Sequence, residues 1–315
     1  MFNIKQYTQQ IVKNKENINK YENIYPFTDR NFIELMLNNL LLNKKYKISK
    51  KIRDYPDRQL YLIKMKKTKE KFILKIIDND KMIEKKDLLY FLENNTNQFI
   101  LKCHEYGIYD YNKHYFYMIY NYFEGITLTE YISYNKNLKE DELKYIFHKI
   151  IQLVKYLHDN NVVHTDLKLD NLLINEKKNI MIIDFDLSFI CCNSDGMVFD
   201  GSFGTLKCIA PESYDVHVYS KKSDIWQLGV ILFNLITFDY PIDTGEDLNF
   251  YNNSCNFYGY NRFKKIRMDL LIENIEKKKY SEEWIDIVHK MLMFNDKERL
   301  NIQDIVSLFE KKLII

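Results

Sequence analysis

HTDLKLDNLLINEKKNIMIIDFD, residues 164–186, decides how the rest of this chain is read. Its residues 180–183, Ile-Met-Ile-Ile, form an apolar, mostly β-branched run with the signature of a buried strand. Asp166, Lys168 and Asn171 fall in one short loop before that strand, and Asp184 follows it directly. The pattern implies a hairpin flanked by two polar clusters. Phosphoryl transfer from a nucleoside triphosphate requires a carboxylate to orient and deprotonate a hydroxyl, a cation beside the moving group, and oxygen ligands for a divalent metal. Asp166, Lys168, Asn171 and Asp184 supply those groups in that order. A surface loop of solvated charges beside a core strand would contain the same residue types, but not the ordered landmarks that follow along the chain.

Composition narrows the remaining classes. The 315 residues suffice for one two-lobed unit or two modest domains. With 46 basic and 44 acidic residues the net charge is +2, which gives no general attraction to nucleic acid or anionic lipid. Five cysteines without regular spacing, in a sequence with no apolar segment at its start, predict a reducing intracellular setting. Adjacent Cys191 and Cys192 have no Cys or His partner at ligand spacing. The longest apolar run, 225–238, is too short to span a bilayer and contains Gln227 and Asn234, so it reads as a buried core helix. No membrane or nucleic-acid partner is therefore expected, and oligomeric state is not legible.

The 164–186 stretch resembles the catalytic and metal-binding loops of eukaryotic-type serine/threonine protein kinases. The family pattern H-R-D-x-K-x-x-N followed by D-F-G reads here H-T-D-L-K-L-D-N followed by D-F-D. Further landmarks occur in the family's order. GTLKCIAPE, 204–212, is similar to the substrate-docking segment that ends in A-P-E; SDIWQLG, 223–229, is similar to the start of the central helix; Arg299 stands where an arginine pairs with the A-P-E glutamate, here Glu212. Lys168 and Thr205 resemble the serine/threonine branch rather than the tyrosine branch. Of the acidic positions that select basic substrates in some relatives, only Asp170 keeps a carboxylate, with Thr127 and Asn234 at the others.

The resemblance implies an α+β fold of two lobes: a small β-rich lobe over 45–123 and a larger, mainly helical lobe over 124–315, preceded by an extension over 1–44. Within that extension, Thr28 or Asp29 could cap a helix with Phe32, Ile33, Met36, Leu37, Leu40 and Leu41 at helical spacing, packing on the neighbouring lobe. YKISKKI, QLYLIKM and KFILKII, between Tyr46 and Ile77, read as three successive strands. The helix after them is expected from about Asp80, containing Glu84 and burying Leu88, Leu89 and Leu92. Another is expected from Glu140 to Asp159, burying Leu143, Ile146, Ile150, Ile151, Val154 and Leu157.

For function, the resemblance implies transfer of the γ-phosphoryl group of ATP to a protein serine or threonine, with magnesium or manganese. Asp166 would be the base and Lys168 the cation at the γ-phosphate, while Asn171 and Asp184 would hold the metal. Lys75, paired with Glu84 or with Glu93 as fallback, would hold the other phosphates, and Asn121, Phe123 and Leu173 would contact the nucleotide. The pattern departs from the family where a glycine-rich loop normally covers the phosphates. The first glycine of the chain is Gly107, and Arg53, Tyr55 and Arg58 stand at the three glycine positions. Ile73 replaces a small alanine, Tyr120 makes the back of the pocket bulky, Asp186 replaces the glycine of D-F-G, and Thr165 replaces the arginine of H-R-D. An alternative is a pseudokinase that binds partners with little or no phosphoryl transfer.

Overall fold

Alternation of side chains across one antiparallel sheet, shifted in register at 48–50, 51–53 and 103–105, organises the first of two compact units, Met1–Tyr122 and Phe123–Ile315. The computed structural model describes residues 35–38, 42–54, 58–77, 84–111, 113–192, 196–199, 204–242 and 266–312. In the first unit, β1 (Tyr46–Asp54), β2 (Arg58–Met65), β3 (Lys71–Ile77), β4 (Cys103–Tyr111) and β5 (Lys113–Asn121) form a sheet of order β1-β2-β3-β5-β4. The three expected strands are its first three. One face packs Tyr46, Ile48, Tyr61, Ile63, Phe72, Leu74, Ile76, Tyr115, Tyr117 and Ile119 into a single buried cluster. The helical residues 35–38 add Met36 and Leu37 to this cluster. The other residues proposed for that helix, Phe32, Ile33, Leu40 and Leu41, and its caps lie outside the described residues.

The opposite face carries Lys75. Cross-strand partners share a face, and Lys75 pairs with Leu60 on β2 and Met118 on β5, while Ile73 pairs with Leu62 and Tyr120. Lys75 is only 5% exposed. The helix α1 (Lys86–Asn94) buries Leu88, Leu89 and Leu92 as its spacing predicts. Its start differs from expectation: Glu84 precedes the helix and is exposed, and Lys85 at the N-cap makes no side-chain cap bond. Asp87 supplies the acid of its first turn.

In the second unit, β6 (Ile126–Thr127) leads into α2 (Leu128–Tyr134), capped by Thr127 and Glu130 in a reciprocal capping box. The helix α3 (Glu140–Asp159) buries all six residues predicted from its spacing. After β7 (Val162–Val163), the hairpin β8 (Leu172–Ile174) and β9 (Ile180–Ile182) extends to β6, and β9 is buried along its length. Short strands β10 (Phe189–Ile190) and β11 (Met197–Val198) pair with β7 and with β12 (Val218–Tyr219), on either side of α4 (Pro211–Asp215). The apolar run expected as a core helix lies in α5 (Lys221–Thr237), whose last fifteen residues are all buried; α6 (Met268–Lys278), α7 (Glu283–Met291) and α8 (Ile302–Lys312) complete the unit. Among the described residues, no helix is long and apolar enough to cross a membrane. A β-rich first unit and a mainly helical second unit make the fold α+β, as the sequence predicts.

Candidate active site

The site is built from the start of α5 outward. Ser220 and Ser223 form a capping box at its N-terminus, which fixes the first turn and turns Asp224 into the interior, 0% exposed. A carboxylate buried this deeply must be matched by donors. Asp224 accepts from the backbone N–H of His164 and of Thr165, both at 2.9 Å, and hydrogen-bonds His158 Nε2 at 3.0 Å. One turn on, Gln227 Oε1 accepts from Leu167 N–H at 2.8 Å and Nε2 donates to Thr165 O at 2.6 Å. The loop before β8 is thus held from the side opposite its reactive groups. His164 ties it to the far strand: Nδ1 accepts from Asp166 N–H at 3.3 Å, so Nε2 carries the hydrogen and donates to Ile183 O at 3.1 Å. The His164 ring packs edge-on against Phe185 at 4.9 Å.

Asp166 is the centre of this loop, with its carboxylate bonded on both oxygens. Oδ1 accepts from Thr205 N–H at 3.0 Å and from Thr205 Oγ1 at 2.8 Å. Oδ2 accepts from Lys168 Nζ at 2.7 Å and from Asn171 Nδ2 at 3.0 Å. Lys168 Nζ also donates to Thr205 Oγ1 at 2.5 Å. One hydroxyl oxygen therefore sits within hydrogen-bond reach of a carboxylate and an ammonium together. Beside them, burial and then the Asp166 charge push the Cys208 thiol up to about 12, which keeps it protonated and unreactive.

Asn171 is buried and spends both amide hydrogens on Asp166, through its backbone oxygen at 2.8 Å and through Oδ2. Its Oδ1 takes no part in these two bonds. Asp184 follows β9 with φ 66°, a left-handed conformation in which an aspartate is better tolerated than most residues. No group of three or more His, Cys, Asp or Glu side chains among the described residues could hold a metal ion. The donor set fits a hard divalent cation of the magnesium type, which takes one or two protein oxygens and fills its remaining positions with water and phosphate.

The other predicted nucleotide residues are placed as follows. Leu173 lies on β8, half-buried, between Thr127 and Met181. Asn121 closes β5, its N–H donating to Lys102 O at 3.1 Å and its Oδ1 accepting from Lys102 N–H at 2.8 Å; Phe123 opens the second unit, half-buried. Arg53 is exposed on β1 and Arg58 half-buried on β2, both in paired strand, while Tyr55 lies outside the described residues. Glu84 is exposed ahead of α1 and Glu93 half-buried near its end.

Arg299 and Glu212 do pair. Arg299 Nη1 and Nη2 donate to Glu212 Oε1 and Oε2 at 2.8 and 3.0 Å, a bidentate bridge with the arginine side chain 0% exposed. Ser223 adds a donor to Glu212 at 2.9 Å, and the guanidinium lies 5.2 Å from the Trp226 ring centre. Asp224, Gln227 and His158 are the site residues that sequence reasoning missed. Gln227 had a signal: a polar side chain one turn after Asp224 inside an otherwise apolar run must find buried partners.

The protein kinase domain model matches residues 58–308. The chain is 32% identical over 191 residues to a carbon catabolite-derepressing protein kinase of Secale cereale, covering 60% of this chain and 34% of the relative. It is 34% identical over 128 residues to serine/threonine-protein kinase PrkC of Bacillus subtilis, covering 41% and 20%. It is 28% identical over 312 residues to calcium-dependent protein kinase 4 of Plasmodium berghei, covering 94% and 53%. The chain thus spans between a fifth and about half the length of these curated relatives.

Proposed function

This chain belongs to the protein kinase domain family, and we propose that it transfers the γ-phosphoryl group of ATP to serine or threonine hydroxyls of a protein substrate. The observation that carries this reading is the hydroxyl of Thr205 between Asp166 and Lys168, 2.8 Å from one and 2.5 Å from the other. That is the environment a substrate hydroxyl needs: an acceptor for its proton and a cation for the charge that develops on the phosphoryl group.

In the proposed step the substrate oxygen attacks the γ-phosphorus as its proton passes to Asp166, and the bond to the leaving ADP oxygen breaks. Lys168 steadies the γ-phosphate. Asn171 Oδ1 and Asp184 would hold magnesium, or manganese in its place, and the metal would supply charge neutralisation at the phosphate oxygens. Lys75 is assigned to the remaining phosphates, and Asn121, Phe123 and Leu173 to the base. The protein works inside the cell, a reading supported by the free thiols of Cys103, Cys191, Cys192 and Cys208. Radiolabelled ATP transfer to a generic protein substrate, wild type against Asp166→Asn, tests the function. Equal labelling by the two proteins would defeat it in favour of a pseudokinase.

A further inference from the structure

We propose that Gln227 is a positioning residue for Asp166, acting through the two peptide groups that flank it; the inference rests on the reading of Asp166 as the base. Thr165 C=O belongs to the peptide plane before the Asp166 α-carbon and Leu167 N–H to the plane after it. Gln227 Nε2 donates to the first at 2.6 Å and Oε1 accepts from the second at 2.8 Å. Rotation of these two planes about Asp166 is what changes its φ and ψ, so one side chain restrains both torsions that aim the carboxylate.

The match is specific to a primary amide. One partner is an acceptor and the other a donor, so only a group with one donor and one acceptor on a fixed plane serves both, and the two partners settle which way the amide faces. Gln227 is 2% exposed, where a polar amide without partners would be costly. The restraint acts on a loop that stores strain. Thr165 has φ 70°, a left-handed conformation unusual for a β-branched residue, and is fully buried. Asp224 holds its N–H and Gln227 holds its carbonyl, so neither residue alone fixes it. Asp224 anchors the loop where it enters, at residues 164 and 165; of these two helix residues Gln227 is the one that reaches past Asp166, to the peptide plane whose carbonyl Asn171 also holds.

The test uses the full chain with three readouts. Gln227→Met keeps length and apolar volume but makes neither hydrogen bond. It is expected to lower kcat by about 10²-fold, the scale of an ångström-sized misplacement, with KM for ATP unchanged. In an Asp166→Asn background the same change should cost little more, because no base remains to be aimed; an equal loss in both backgrounds would indicate general damage and overturn the proposal. Amide exchange should rise at Leu167 while His164 and Thr165, held by Asp224, stay protected. Gln227→Glu still accepts from Leu167 but sets an oxygen against Thr165 C=O, so Leu167 should stay protected while kcat falls; wild-type kcat in this variant would also overturn the claim. Absence of transfer by the wild type sinks the kinase reading, whereas unaltered Leu167 exchange in Gln227→Met sinks the positioning role itself.

Discussion

The loop 164–171 and the first hairpin, β1 with β2, have opposite designs. In the loop the two charged groups at the centre, Asp166 and Lys168, bond each other: Asp166 is 7% exposed with four donors, and the backbone behind it is bonded to two buried side chains of α5. In the hairpin, where the family uses glycines to bring backbone amides onto phosphate, the chain carries paired strand with an exposed Arg53 and a half-buried Arg58. Chemistry that depends on sub-ångström aim is placed on rigid, buried support. Binding of a diffuse negative charge is left to long side chains that tolerate imprecise geometry. Activity should therefore be sensitive to single atoms in the loop and tolerant of change in the hairpin.

The largest effect should come from Asp166→Asn. It removes the carboxylate at the point of convergence and should lower transfer by ~10²- to 10⁴-fold, with thermal unfolding and nucleotide binding close to wild type. A loss no greater than that of a surface variant would erase the contrast between the two regions.

Next is Arg299→Ala. Removing a fully buried guanidinium strips Glu212 of its bidentate partner and is expected to destabilise by about 3–5 kcal/mol, read by denaturant titration. Lys222, whose pKa burial and then Arg299 hold down, should become easier to protonate in that variant. Stability unchanged within error would show that the bridge is replaceable.

In the hairpin, Arg53→Ala with Arg58→Ala should raise the Kd for ATP by at most about thirtyfold, since solvent-screened charge contacts are worth up to ~1 kcal/mol each. Asp186→Gly should lower the magnesium concentration at which ATP binds, because a second carboxylate two residues from Asp184 repels nucleotide that lacks metal. Tight ATP binding in a chelator, indifferent to the double arginine change, would remove the hairpin from the nucleotide site.

The smallest expected effect is none. Thr165 stands where relatives switched by loop phosphorylation have an arginine, and it is fully buried with its backbone bonded to Asp224 and Gln227. With no cation at that position to grip a phosphate, phosphatase treatment should leave the transfer rate unchanged.

Much of this was legible in the sequence because its signals are local. The periods of α3 and the strands, the polar groups bracketing β9 and the arginine for Glu212 are spacings and residue types, and burial follows from them. Two things were not. The start of α1 at Lys86, past Glu84, is one: the spacing of its buried leucines is satisfied by a shorter helix than the one expected from about Asp80. The anchors of the catalytic loop depend on contacts between residues 60 or more positions apart, Asp224 with His164 and Gln227 with Leu167. A sequence states that Asp224 and Gln227 interrupt an apolar helix, and physics then requires that they have partners. Which backbone groups those partners are is decided only when the packed helix brings its first turn against the loop, since a buried hydrogen bond is fixed by distance and direction in space and not by separation along the chain.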